Sequence, residues 1–299
     1  MSASLRAMSF PGLEQATAAA KSIAAEHGLA MDRCEILQNG STLVLRLSDT
    51  LVARVVQDQD GARQGTAWFE RENAVALHLA EQGAPVIPLH PDLPPGPYFK
   101  NEFPVNFWKF VHITDQKADP YEIGKTLYQC HVVLRGYEGE LPELAIIRES
   151  LDLLETVKQR ELMPVEQIEM LRERMETSLR ILADLPFQPL HGDAHEGNLL
   201  QTTEGLLWTD WEDTFSGPVE WDLASILWNA RILEKNHAKA DAVLQGYRDA
   251  GGTWDETVLQ HCYVARAAVM CSWYLLLYPN PSPERQEILR WRMEWLANA

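Results

Sequence analysis

The chain has 299 residues, of which 26 are Lys or Arg and 43 are Asp or Glu, so its formal net charge is -17. This acidic balance argues against a general nucleic-acid-binding protein, because such proteins need a basic surface to displace the counterions of the phosphate backbone. Hydrophobic residues make up 46% of the chain, and no segment supplies the roughly 20 apolar residues that a membrane-spanning helix needs. We therefore expect a cytoplasmic globular protein with no nucleic-acid or membrane partner.

The first part of the chain, residues 1–110, has the pattern of a small sheet with helices. Apolar residues recur at helical spacing over 13–27 and 67–82, and a glycine follows each segment. Prolines are frequent from 83 to 104, which excludes a helix there and favours loops with short edge strands. Short apolar runs between turn residues predict strands, and these runs are 34–37, 43–47, 51–56 and 105–112.

The second part, residues 111–299, is predicted to be mostly helical. Asp119 followed by Pro120 predicts the start of a helix, because aspartate caps a helix and proline suits its first turn. Helical periodicity predicts further elements, and the full set is 120–134, 164–182, 222–234, 237–250, 254–277 and 283–297. The sequence thus predicts an α+β fold with a small antiparallel sheet in the first domain and a helical second domain.

The side chains suited to catalysis lie mostly in a polar loop, His191 to Asn198, which is followed by a predicted hairpin ending at Asp210. Phosphoryl transfer needs a carboxylate that positions the attacking hydroxyl and oxygen ligands that hold magnesium. Asp193, Asn198 and Asp210 supply such groups. The spacing of Asp193 and Asn198 is that of the H-R-D-x-x-x-x-N catalytic loop of kinases.

A metal-dependent hydrolase is the alternative interpretation of the same loop. His191, Asp193 and His195 stand at alternate positions and could present three ligands along one edge of a strand. No further His or Cys nearby completes a zinc shell, and this interpretation leaves Asn198 and Asp210 without a role. The phosphotransferase interpretation is therefore favoured.

The segment 189–224 closely resembles the catalytic segment of the aminoglycoside phosphotransferase family, within the choline-kinase-like and protein-kinase-like fold. The family pattern is H-G-D-x-H-x-x-N, then a strand ending in Asp, then G-x-x-x-x-D-L-A, and the last part is matched by Gly217 to Ala224. The resemblance implies a two-lobed protein-kinase-like fold. It also implies site roles: Asp193 as the catalytic base or hydroxyl-orienting group, Asn198 and Asp210 as magnesium ligands, and His191 and Asp222 as supports of the catalytic loop.

The first domain agrees with this resemblance in the order of its elements. Val52 to Val55 takes the place of the kinase V-A-I-K strand, with Arg54 where kinases have lysine. Guanidinium also binds phosphate oxygens, although its reach and geometry differ from those of an ammonium group. Glu72 in the following helix is expected to pair with Arg54.

Two further segments are expected to bind the nucleotide. Gly40, Ser41 and Thr42 would cover its phosphates with backbone N–H and hydroxyl groups, although alone they would indicate only an ordinary hairpin turn. Phe110 and Val111 would form the hinge between the lobes, with backbone groups near the purine edge.

The sequence therefore predicts an enzyme that transfers the γ-phosphoryl group of ATP, or of GTP as the alternative donor, to a hydroxyl of a small molecule with Mg²⁺. A non-catalytic nucleotide-binding module is a further alternative, which Arg54 permits and the complete Asp193, Asn198 and Asp210 set disfavours. Four acids near the motif could bind the ammonium group of an aminoglycoside or amino alcohol, or could equally brace the loop or face solvent. They are Glu196, Glu212, Asp213 and Glu220.

Overall fold

A computed structural model of the chain describes residues 12–57 and 66–299. Residues 1–11 and 58–65 of the predicted first domain lie outside the described residues. The elements in chain order are α1 (Leu13–Glu26), β1 (Glu35–Asn39), β2 (Thr42–Arg46), β3 (Leu51–Val56), α2 (Ala67–Glu81), β4 (Tyr98–Lys100), β5 (Phe103–Lys109), α3 (Pro120–Leu134), α4 (Ala145–Gln159), α5 (Val165–Leu182), β6 (Gln188–Leu190), β7 (Leu199–Thr202), β8 (Gly205–Trp208), β9 (Phe215–Gly217), α6 (Glu220–Leu227), α7 (His237–Asp249), α8 (Glu256–Leu277) and α9 (Pro283–Ala297). The predicted α+β class, a small antiparallel sheet and a mostly helical part, is confirmed.

The chain divides into two compact units. The first unit contains the described residues up to Lys117 together with Leu200–Glu212, and the second contains Ala118–Leu199 and Asp213–Ala299. The sequence-based division at residue 110 assigns 200–212 to the second domain instead. This hairpin belongs to the first unit because Trp208 accepts a hydrogen bond from the N–H of Ile87 at 3.0 Å and donates its own N–H to the Pro85 carbonyl at 2.8 Å.

The sheet of the first unit has the strand order β1-β2-β3-β5-β4, with antiparallel pairing throughout. Side chains alternate between its two faces along each strand. Ala53 and Val55 of β3 belong to an apolar cluster with the small residues of α1. Arg54, between them, therefore faces the opposite side of the sheet, where Glu72 of α2 lies.

The observed elements differ from the predicted ones at several places: β1 is shifted towards residue 39, and β6 and β9 lie where no strand is predicted. β5 ends at Lys109 rather than at residue 112. The chain turns away from the sheet there, because the His112 carbonyl accepts the Thr203 N–H at 3.0 Å. α4 occupies a segment for which the sequence analysis predicts no element. The helix predicted over 222–234 divides into α6 and a π-helical turn, Trp228–Leu233.

Within the described ranges, no helix is both long enough and apolar enough to cross a membrane. The longest, α8, has 22 residues.

Two glycines allow close contact between the backbones of α3 and α7 in the second unit. A methyl group added at Gly124 of α3 would overlap the carbonyl oxygen of Val243, and one at Gly246 of α7 would overlap the carbonyl oxygen of Tyr121. Close-packed interiors leave no room for such an atom without moving the backbone. The separation of the two helices is thus set by these glycines.

We predict that Gly124→Ala and Gly246→Ala each lower the free energy of unfolding by about 2 kcal/mol or more, although alanine ordinarily favours a helix over glycine by about 1 kcal/mol. The measurement is urea unfolding of each variant. Gly40→Ala is the control, because its added methyl group would lie 3.9 Å from the nearest atom, and it should change stability by less than about 0.5 kcal/mol. Equal effects at all three positions would contradict the proposed overlap.

Candidate active site

In the first unit, Arg54 lies among three carboxylates, and we call these four side chains the Arg54 cluster. Arg54 Nη1 donates to Glu72 Oε1 at 2.6 Å, and Nη2 donates to Glu212 Oε2 at 2.5 Å. Asp210 Oδ1 lies 3.0 Å from the same Nη2 but is not aligned as a hydrogen-bond acceptor. Arg54 and Glu72 were expected to meet, and the structure brings Asp210 and Glu212 to the same guanidinium.

The Arg54 cluster carries more negative than positive charge, and the pKa of its most buried carboxyl, that of Glu72, is raised. Its side chain is 1% exposed. Burial raises the pKa of the Glu72 carboxyl to about 7, with Arg54 opposing the shift and the charge of Asp210 adding to it. A buried carboxyl that shares its cation with two other acids therefore titrates near neutral pH.

Asp210 stands in a strained part of the hairpin. Its backbone has a φ of 67°, a left-handed conformation that non-glycine residues adopt rarely and often at functional sites. The guanidinium of Arg71 donates to the neighbouring Glu212 carbonyl, at 2.6 Å from Nη2. This contact fixes the chain just after Asp210.

The turn between β1 and β2 is held by Gln57. The amide nitrogen of Gln57 donates to Asn39 Oδ1 at 2.9 Å and to the Gly40 carbonyl at 3.0 Å, and its backbone N–H donates to the Ser41 carbonyl at 2.8 Å. The backbone N–H of Gly40 also donates to the Thr42 carbonyl at 3.1 Å. The turn is thus closed by contacts within the first unit.

The predicted hinge residues lie just beyond β5. The Phe110 N–H donates to the Thr50 carbonyl at 2.8 Å, and the Phe110 ring lies 3.8 Å from the Arg46 guanidinium. Val111 is buried. The Phe110 N–H is therefore engaged with the Thr50 carbonyl and is not free for a ligand.

In the second unit, Asp222 of α6 fixes the backbone of the polar loop. Its fully buried carboxylate accepts the N–H groups of His191 at 2.8 Å and Gly192 at 2.9 Å. It also faces His131 Nε2 at 2.9 Å, while His131 Nδ1 lies 2.9 Å from the Tyr247 hydroxyl. Three donors on one carboxylate match what a buried charge requires.

Gly192 is required in this loop by its backbone and by its surroundings. Its φ is 87°, and an added Cβ would overlap the Asp213 carbonyl oxygen. The indole N–H of Trp221 donates to the Gly192 carbonyl at 2.7 Å. The residue that precedes Asp193 is thus held at both its N–H and its carbonyl.

The Asp193 carboxylate is held by two cationic or polar side chains. Arg266 of α8 donates through Nη2 to Oδ1, and His195 Nε2 lies 3.3 Å from Oδ2. Burial alone would raise the pKa of Asp193, but Arg266 foremost, and then His195, hold it well below its usual range. Asp193 is therefore an ionised carboxylate with 29% of its side chain exposed.

Asn198 and His191 also contact Asp193. Asn198 Nδ2 donates to the Asp193 carbonyl at 3.0 Å, and the Asp193 N–H donates to His191 Nδ1 at 3.3 Å. His191 is fully buried, and His195 Nδ1 accepts the N–H of Gly197 at 2.9 Å. Both histidines thus have structural contacts within the loop.

Across residues 12–57 and 66–299, no group of three or more His, Cys, Asp or Glu side chains is arranged to hold a metal ion. The His191 ring is engaged with the backbone of Asp193, as described above. The metal-hydrolase alternative therefore has no support from the geometry of this loop.

The sequence analysis missed two site residues, Arg266 and the Arg54 partner Glu212. The sequence analysis considered Glu212 as an acid for an ammonium group, as a brace of the loop or as a solvent-facing acid, and not as a partner of Arg54. The available signal for Arg266 was a charge within an apolar helical segment, Val264 to Tyr278, because a buried arginine requires a partner. The identity of that partner, 73 residues earlier, is a product of the fold.

The chain is similar to several solved structures that share its fold. The amicoumacin kinase hAmiN, solved with AMP-PNP, Ca²⁺ and Ami, is 14% identical with a TM-score of 0.70, covering 93% of each chain. A choline/ethanolamine kinase family protein from Mesorhizobium loti is 18% identical with a TM-score of 0.65, covering 95% of this chain and 93% of that one. Choline kinase LicA from Streptococcus pneumoniae is 16% identical with a TM-score of 0.62, covering 92% and 98%.

A comparison with curated protein sequences finds no match. The profile of the phosphotransferase enzyme family, APH, matches residues 25–259. The predicted protein-kinase-like fold is confirmed by the similar structures, and the predicted enzyme class, a phosphotransferase, by the family match. Because that match covers well over half of its residues, the chain belongs to the phosphotransferase enzyme family.

Proposed function

We propose that the protein transfers the γ-phosphoryl group of ATP, with GTP as the alternative donor, to a hydroxyl group of a small molecule. The observation that carries this proposal is the ionised Asp193 carboxylate, which Arg266 holds on a loop whose backbone is fixed by Asp222. The kinase hAmiN was solved with AMP-PNP and Ca²⁺, which supports a nucleoside triphosphate and a divalent cation as components of the reaction.

The Asp193 carboxylate would accept a hydrogen bond from the acceptor hydroxyl and direct its oxygen at the γ-phosphorus. A P–O bond to the acceptor forms while the bond from the γ-phosphorus to the bridging oxygen breaks, and ADP leaves with the bonding electrons. Because the pKa of Asp193 lies well below its usual range, the carboxylate is a weak base. It would act mainly by orienting the hydroxyl, whose proton passes to the carboxylate late in a loose transition state and from there to solvent.

The donor chemistry of the two proposed metal ligands fits Mg²⁺, which prefers oxygen ligands. Asp210 Oδ1 accepts no hydrogen bond within the described residues. The Asn198 amide nitrogen donates to the Asp193 carbonyl. Because the nitrogen is used in this contact, the amide oxygen of Asn198 is the atom proposed as the metal ligand. When bound, the metal would neutralise charge on the phosphates.

The nucleotide-binding roles are proposed for residues of the first unit. Arg54, oriented by Glu72, would contact the phosphates in place of the kinase lysine. The turn 40–42 would cover them with its hydroxyl groups and backbone. Because the Phe110 N–H is engaged with the Thr50 carbonyl, we assign the purine contact to the Phe110 carbonyl and the Val111 N–H.

The acids that could bind an amine-bearing acceptor already have partners within the chain. Glu196 lies 2.5 Å from Lys239 Nζ. Glu220 is buried and accepts the Asp255 N–H at 2.8 Å, and Glu212 belongs to the Arg54 cluster. These contacts favour bracing roles, so the proposed acceptor class includes neutral hydroxyl compounds as well as aminoglycosides and amino alcohols.

A labelled-phosphate assay tests the function directly. We predict transfer of the γ-phosphate from Mg-ATP to a compound in a panel of aminoglycosides, amino alcohols, sugars and nucleosides. Asp193→Asn and Asp210→Asn should each lower the rate by at least about 100-fold, because one loses the hydroxyl-orienting charge and the other a metal ligand. Their circular dichroism spectra should match that of the wild type.

Asp241→Asn is the matched control for this assay, because Asp241 is an exposed acid on α7 and its loss should leave the rate within about twofold. Full activity in Asp193→Asn or Asp210→Asn would contradict the proposed roles. Nucleotide binding without transfer to any compound or to water would favour the non-catalytic module.

A separate prediction concerns the pH dependence of stability. The folded-state pKa of Glu72, about 7, lies above its ordinary value of 4.5, so folding favours the neutral carboxyl. Its contribution to stability is complete below pH 4.5 and is lost as the pH rises to 7. Relative to Glu72→Gln, the free energy of unfolding of the wild type should therefore fall by up to about 3 kcal/mol as the pH rises over this range.

Urea unfolding at several pH values from 4.5 to 8 measures this difference. Glu70→Gln is the control, because Glu70 lies exposed on the same helix and should give a profile parallel to that of the wild type. A parallel profile for Glu72→Gln as well would contradict the raised pKa.

A further inference from the structure

Arg266 is the feature of the second unit that the proposed function has not yet explained. It interrupts the apolar face of α8, and its side chain is only 9% exposed. Burying a guanidinium is unfavourable unless a partner compensates its charge. Its partner is the Asp193 carboxylate, so the arginine lies at the centre of the proposed site.

The loop backbone and the Asp193 side chain are held by different groups. Asp222 and Trp221 bind the backbone of Gly192, and neither contact determines the side-chain rotation of Asp193. Arg266 restricts it by binding Oδ1, and His195 contacts the other oxygen, Oδ2. Trp221 also connects the two systems, because its ring lies 6.0 Å from the Arg266 guanidinium carbon, at the edge of the cation–π range.

The two carboxylate oxygens of Asp193 are consequently not equivalent. Oδ1 binds the buried Arg266, whereas Oδ2 lies 3.3 Å from His195, whose side chain is 41% exposed. A carboxylate oxygen can accept more than one hydrogen bond. Oδ2 therefore keeps acceptor capacity on the side of the carboxylate away from Arg266.

We infer that Arg266 is a positioning residue for phosphoryl transfer: by binding Oδ1 it fixes the Asp193 carboxylate so that Oδ2 receives the acceptor hydroxyl. This inference rests on the proposed function, in which Asp193 orients that hydroxyl. A guanidinium suits the task because its planar N–H groups restrict the angle of the carboxylate, which a lysine ammonium does not.

A purely structural role for Arg266 makes a different prediction. In that case its removal would lower stability, and any loss of activity would follow the loss of folded protein. A positioning role instead lowers kcat in protein that remains folded, with little effect on the KM for ATP, because nucleotide binding is assigned to other residues.

The test compares Arg266→Ala, Arg266→Lys and Asp193→Asn with the wild type in γ-phosphate transfer from Mg-ATP. The acceptor is the panel compound that the wild type phosphorylates fastest, or water when none is preferred. Arg292→Gln is the matched control, because Arg292 is an arginine of α9 that lies near enough to Arg266 to affect its charge interactions and makes no contact with Asp193 in the described part of the chain.

We expect Arg266→Ala to lower kcat by about 100-fold, with a KM for ATP within about threefold of the wild-type value. Millimolar guanidinium ion should raise the kcat of this variant by at least about tenfold. Arg266→Lys, which keeps the charge, should retain the fold and have an intermediate kcat. Arg292→Gln should keep kcat within about threefold of the wild type.

Two results would overturn the inference while leaving the proposed function intact. One is a kcat within threefold of the wild type in both Arg266 variants while Asp193→Asn is inactive. The other is an equal loss in Arg266→Ala and Arg292→Gln with no rescue by guanidinium. An active Asp193→Asn, or no transfer and no ATP hydrolysis by the wild type, would instead overturn the proposed function and the inference with it.

Discussion

The polar loop from His191 to Asn198 depends on one buried carboxylate, that of Asp222. This side chain is fully buried, and it accepts two backbone N–H groups of the loop while facing His131. A charge in such surroundings is tolerated only when its hydrogen bonds are complete. The need to satisfy Asp222 therefore fixes the path of the chain immediately before Asp193.

The balance of cations and buried acids differs between the two units. In the Arg54 cluster one guanidinium serves three carboxylates, and burial, with the charge of Asp210 adding to it, raises the pKa of Glu72. At Asp193 one guanidinium serves one carboxylate, and the pKa of that carboxyl is lowered. The first arrangement carries more negative than positive charge, whereas the second pairs one cation with one ionised carboxylate.

The sequence predicted those parts of the fold and site that local signals determine. The bounds of β3 and α3 follow from apolar patterning and from the Asp119-Pro120 start. The roles that the spacing of Asp193 and Asn198 indicates stay predictions. Contacts between distant segments could not be predicted in this way. The Arg266–Asp193 pair and the place of the hairpin 200–212 in the first unit depend on tertiary packing, which no local pattern encodes.

The glycine contact between α3 and α7 has a consequence for how the site can vary. His131 lies on α3 and Tyr247 on α7, and both belong to the hydrogen-bond chain that ends at Asp222. The spacing of the two helices therefore sets the length of the His131–Tyr247 hydrogen bond. Substitutions that change the separation of these helices would therefore be poorly tolerated. Sequence variation that alters acceptor binding is expected at surface positions outside the α3–α7 contact.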